Sequence, residues 1–147
     1  MDGLLFRTRV AVLWVALTVA AMGSWLLILF EAGRLEELLA GTIEGEPLDD
    51  TVRLTFTALV MLPLVMAGVT LMLSDRVNRW VNVVAASALG LFGALAGGSG
   101  LLAGEFHWHV WPTVLAIAFA FIIAGLSVVG LRQPSPPDVA DAVAPTR

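Results

Sequence analysis

Glu105, His107 and His109 stand at two-residue spacing near the start of a long apolar run. In an extended segment alternate side chains emerge on one side, so a carboxylate and two imidazoles so spaced have the donor chemistry of a Zn or Cu site. No other constellation in the chain resembles it. Trp108 and Trp111 interleave with them, however, and Trp at the edge of an apolar run is the usual aromatic belt of a membrane interface, where His is also at home. The belt is the stronger reading, with a metalloprotein using Glu105, His107 and His109 as the weaker one. The chain holds 2 histidines, both at one end of one run, so a haem clamped between His on different helices cannot form within a monomer. Cysteine is absent, which removes disulfides, thiolate metal sites and thiol redox chemistry, a quinone-coupled disulfide reductase included. Neither catalytic residues nor a cofactor are expected.

The elements that must position any site are set by hydropathy. The chain of 147 residues is 59% hydrophobic and 14% charged, far from the balance of a water-soluble domain. Uncharged runs cover about 10–30, 54–73, 81–102 and 110–131, and about 20 residues of helix cross the ~30 Å of bilayer hydrocarbon. Lipid leaves backbone groups no outside partner, so the runs are helices. The fold class expected is all-α, a four-helix transmembrane bundle forming one domain over residues 1–132, with 133–147 a disordered, Pro-rich cytoplasmic tail. The first run follows Arg7 and Arg9 as a secretory signal would, but it continues through Trp25 to Phe30, too far for a cleaved leader.

Orientation follows from arginine, since the chain contains no lysine. Arg7, Arg9, Arg76, Arg79 and Arg132 fall on one side of the spans, against Arg34 and Arg53 on the other, so both termini are expected in the cytoplasm. Arginine in place of lysine, with the Ala, Val, Leu and Gly richness, suggests a GC-rich bacterial genome and hence the bacterial inner membrane. The net charge of −4 arises largely in the loop between the first two spans and gives nucleic acid no basic stripe to bind. In that loop Leu35, Leu38 and Leu39 at helical spacing, ending at Gly41, predict a short amphipathic helix outside the cytoplasm. Its acidic face suits capping the bundle better than binding anionic lipid. Glu44 to Asp50 lacks the ligand pattern of a calcium loop and reads as solvated.

Within the spans no Asp, Glu, Arg or His lies at depth, so the usual machinery of proton relays is missing. Small residues are the main feature of span three. Ala86, Gly90, Ala94 and Gly98 recur every four residues, with Gly93 and Gly97 beside them, which predicts close helix packing within the chain or between protomers. Ala116, Ala120 and Ala124 offer a matching face on span four. Pro63, in the middle of span two, removes a backbone bond and should kink it. The short link Ser74 to Trp80 forces spans two and three into an antiparallel hairpin, and Asp75 and Arg79 at i and i+4 can support its first turn.

The run Leu62 to Met66, the cluster Asp75, Arg76, Asn78, Arg79, Trp80 and Asn82, and the segment Gly33 to Gly41 together resemble a family of uncharacterised small four-span bacterial integral membrane proteins, in order over most of residues 9–132. The resemblance implies no activity. Asn78, Arg79, Trp80 and Asn82 read physically as an interfacial anchor, with Trp108 and Trp111 at the other interface; a contact for a cytoplasmic partner is the lesser reading. The function expected is that of a non-enzymatic helical bundle binding a partner membrane protein or an apolar or lipid ligand. An oligomeric small-solute channel or transporter is the alternative, because four short spans without a polar stripe hardly enclose a water path alone.

Overall fold

A computed structural model describes residues 3–43, 45–102 and 110–132 of the chain. Five helices dominate it: α1 (Gly3–Ile28), α2 (Arg34–Leu39), α3 (Asp50–Met72), α4 (Asp75–Leu102) and α5 (Val110–Leu131). Between α2 and α3 a small antiparallel hairpin pairs β1 (Thr42–Ile43) with β2 (Glu46–Pro47). The fold is therefore all-helical apart from this hairpin. Three helices, α1, α3 and α5, are long and apolar enough to cross a membrane among the described residues. α4 is the longest, at 28 residues, but opens with Asp75, Arg76, Asn78 and Arg79.

Local chemistry sets the helix ends. Asp49 caps α3 by accepting the Val52 N–H at 2.8 Å, and Asp50 follows in the first turn, where negative charge suits the helix dipole. α3 continues unbroken past Pro63, which is buried and has no N–H to offer the Leu59 carbonyl. α2 is only 6 residues long; the Ala40 N–H closes on the Glu36 carbonyl, and Gly41 then takes a left-handed φ of 79° that ends the helix. Arg34 braces this turn from within, bonding Glu31 at 3.3 Å and Glu37 at 3.1 Å. The hairpin that follows replaces the plain loop expected over Glu44 to Asp50. Gly45, at φ 81°, makes its turn, and strands this short leave no alternating pattern in the sequence to find.

The link between α3 and α4 is shorter than its sequence suggests. Only Leu73 and Ser74 separate the helices, and the Ser74 carbonyl takes the Asn78 N–H at 2.8 Å, so the segment read as a link to Trp80 is already helix. α1 packs along α3 and α5, and α5 along α4, whereas α3 and α4 hardly touch beyond their turn. The four long helices thus form an incomplete ring in the order α3, α1, α5, α4. α1 and α4 face each other across it and run in the same direction, so contacts recur between residues 68 apart, Arg7 with Asp75 and Trp14 with Asn82.

One end of this ring, here the base, holds the start of α1, the α3–α4 turn and the end of α5. The other, the cap, holds α2 and the hairpin. The core gathers at the base: Phe6, Val10, Trp14, Met66, Ala86 and Ile123 interlock there with little or no exposure. Burial of each large apolar side chain in such a core contributes roughly 1.5–3 kcal/mol against water, and against lipid the gain is packing instead.

Candidate functional site

At the base, polar side chains from three helices form a closed network. The Trp14 indole N–H donates to Asn82 Oδ1 at 2.6 Å, and the Thr70 hydroxyl donates to the same oxygen at 3.1 Å. Asn82 Nδ2 donates in turn to the Asn78 carbonyl and to Asn78 Oδ1, both at 2.7 Å, while Asn78 Nδ2 donates to the Thr70 carbonyl at 2.9 Å. Asn78 and Asn82 are 0% exposed. This corrects the reading of both as interfacial anchors: neither can reach a headgroup or a partner's surface. Their spacing of one helical turn lets them stack on the inner face of α4, where they tie α1 and α3 together.

Arg79 also turns inward. Its guanidinium lies 4.7 Å from the Phe6 ring centroid, and it occupies the space a side chain at position 130 would fill, since a Cβ on Gly130 would collide with it. Gly130 was not singled out from the sequence; its signal, a glycine in the last turn of an apolar helix, is common and only the contact gives it meaning. Arg79 therefore rests against the C-terminal turn of α5, whose last carbonyls lack helical partners and favour a cation. Arg79 Nη1 is buried without a hydrogen bond, and so is the Ser127 hydroxyl one turn earlier on α5. The Asp75–Arg79 pairing expected along one helix is replaced by a bond between helices, with Arg7 Nη2 on Asp75 Oδ1 at 2.7 Å. Of Asn78, Arg79, Trp80 and Asn82, Trp80 alone is exposed, at 55%.

The small residues of α4 divide by position. Ala86 is fully buried; a Cβ on Gly90 would lie 3.3 Å from the Phe121 ring and 3.4 Å from Ala120 Cβ, and one on Gly93 would lie 3.0 Å from Ile117. α5 of the same chain thus fills the groove at these positions. Ala94 is exposed, while Gly97 and Gly98 belong to the last turns of α4. Trp111 is exposed in the first turn of α5. Glu105, His107, Trp108 and His109 lie outside the described residues.

Toward the cap the ring opens. A cleft of about 300 Å³ lies between all four long helices, walled by Leu17 and Ala21 of α1, Leu89 and Phe92 of α4, and Ala116 and Ile117 of α5, with Leu59 of α3 at its edge. Its described lining is apolar except for one pair of hydroxyls. Ser24 and Thr113 share a hydrogen bond at 2.8 Å across α1 and α5, near the cap end of the cleft. A second apolar pocket of about 330 Å³ lies between α1, α3 and the cap, and Trp25, edge-on to Phe56 with centroids 4.1 Å apart, borders both spaces.

A buried polar network at the base, an apolar cleft and three helices of membrane-spanning length and hydropathy define an all-helical, membrane-type protein. The chain belongs to the family of unknown function DUF6326, which matches residues 6–129. No curated protein and no solved structure matches it.

Proposed function

We propose that the protein is a four-span protein of the bacterial inner membrane that binds an apolar, chain-like ligand in the cleft between its helices. The observation that carries the reading is the cleft itself: an apolar space inside the ring, beside the gap where α3 and α4 stay apart. In a bilayer such a gap opens sideways onto lipid, so an apolar ligand reaches the cleft without crossing water. Its volume is at the lower end of ligand pockets, which suits a single chain better than a folded or multi-ring molecule.

α4 is the fourth span in this reading. Its 28 residues reach roughly 40 Å at helical rise, and its asparagines turn inward, so its lower hydropathy is no bar to spanning. The base carries Arg7, Arg9, Arg76, Arg79 and Arg132 and faces the cytoplasm; the cap carries α2 and the hairpin and lies outside. Trp80 anchors the base at the interface. A natural absence of cysteine makes this topology easy to test with single cysteines placed at Leu39 and Gln133. An impermeant maleimide applied to intact cells labels the first and spares the second; the reverse pattern overturns the orientation.

Ligand binding is tested with a diazirine-bearing alkane in nanodiscs. Saturable photolabelling at Leu17–Ile28 and Ala116–Ala120, removed by Ala116→Phe with the fold retained, is the expected result. Labelling that is uniform over all lipid-facing residues and cannot be saturated overturns the reading.

A further inference from the structure

Given an apolar ligand in the cleft, we infer that the ligand is neutral and carries a hydrogen-bond donor, a hydroxyl or an amide N–H, at one end of its chain, and that the Ser24–Thr113 pair receives it. The inference rests on the cleft reading and adds the chemistry of the ligand's polar end.

Two hydroxyls have two hydrogens and four lone pairs. The bond between Ser24 Oγ and Thr113 Oγ1 uses one hydrogen and one lone pair, so at most one hydrogen is left against three lone pairs. Any bond from either hydroxyl to a backbone carbonyl takes that last hydrogen too. The pair is therefore chiefly an acceptor. A ligand hydroxyl finds a partner there, while an ether or ester oxygen finds little. A carboxylate needs donors and charge compensation, and among the described residues no basic side chain lines the cleft, so its desolvation goes unanswered there.

Position supports the same conclusion. Ser24 is buried, at 7% exposure, one turn from the end of α1, and Thr113 sits in the first turn of α5, so the polar pair lies toward the cap end of the cleft, with Ile28 one turn beyond it. Leu17 and Ala120 mark its deep end, roughly 10 Å further along α1 by helical rise. A molecule seated here has its polar end toward the outer surface and its tail toward the middle of the bundle. That is how a single-chain alcohol lies in the outer leaflet.

The test is competition against the diazirine alkane in nanodiscs, using hexadecane, 1-hexadecanol, hexadecyl methyl ether and palmitate. The alcohol should displace the probe about three- to tenfold more strongly than hexadecane, the effect of one net hydrogen bond, while the ether and palmitate should not exceed hexadecane. Ser24→Ala with Thr113→Val should bring the alcohol down to the level of hexadecane and leave hexadecane unchanged, and Thr113→Ser, which keeps the hydroxyl, should retain the preference. Equal competition by ether and alcohol, stronger competition by palmitate, or an alcohol preference that survives the double variant overturns the inference and leaves the apolar cleft standing. If the alkane itself never labels saturably, the cleft reading falls and this inference falls with it.

Discussion

The two ends of the helical ring are built from similar helices, yet they solve opposite problems. At the base, α1 and α4 are drawn together across the ring by the Trp14–Asn82 bond and the Arg7–Asp75 pair, and Phe6, Val10 and Ile123 fill what remains. At the cap the same two helices are separated by a cleft, with the Ser24–Thr113 bond between α1 and α5 as the cross-link seen there. The difference shows how polar groups act when the surroundings are apolar. Where hydrogen-bond partners come from three helices, they draw the structure closed; where a bond spans one pair of helices, the rest can stay apart.

Substitutions that strike one end and spare the other put this contrast to the test. The largest effect is expected from Asn82→Leu, which strands the Trp14 N–H and the Thr70 hydroxyl in the interior. Loss of about 2–4 kcal/mol follows from two unsatisfied buried groups plus overpacking, read as unfolding in mixed micelles. A variant as stable as the parent would show that the network does not hold the base. Next comes the packing itself: Ile123→Ala at the base should cost about 2–4 kcal/mol, whereas Leu59→Ala at the edge of the cleft should cost under about 1 kcal/mol, since its side chain leaves a space already present. Equal losses at the two positions would erase the contrast.

Gly130→Ala is expected to be milder, because the obstructing Arg79 guanidinium is the mobile end of a long side chain and can swing out. Loss of its stacking on Phe6 should cost about 1 kcal/mol. In an Arg79→Ala background the same change should cost close to nothing, and a double-mutant cycle reads the difference directly. Additive effects would mean that the contact carries no energy. Smallest of all, Asp75→Asn removes a partly exposed ion pair and should shift stability by less than about 1 kcal/mol, an effect that high salt in the parent should imitate.

How much of this was legible in the residues depends on how far apart the partners stand in the chain. The helical ends were readable at Gly41 after α2 and at the short turn joining α3 to α4, where a local rule acts, whereas the Asp49 cap of α3 fell within the stretch read as a solvated loop. The approach of Gly90 and Gly93 to α5 follows from lacking side chains and from the small face of Ala116, Ala120 and Ala124, which the sequence displays, although it did not choose between packing within the chain and between protomers. Asn78, Arg79 and Asn82 were misplaced toward the interface because polar residues at the edge of an apolar run usually belong there. What places them inside is the beginning of α4 at Asp75, which extends the helix past the apolar run and turns that face toward α1. Nothing in the segment itself reveals Trp14 as a partner.

By itself the sequence determined the helical class, three of the four expected spans as helices apolar enough to cross a membrane, the absence of thiol chemistry and the uneven distribution of arginine. These depend on composition and on interactions within a few residues, and each such segment keeps its character whatever surrounds it. Only the tertiary structure decided that Asp75 answers Arg7 rather than Arg79, that Asn82 is shared by Trp14 and Thr70, and that the ring closes at the base but not at the cap. Those outcomes turn on which faces of α1 and α4 meet across 68 residues of chain. Hydropathy cannot choose among faces that are all apolar; side-chain shape and the matching of a few donors and acceptors can.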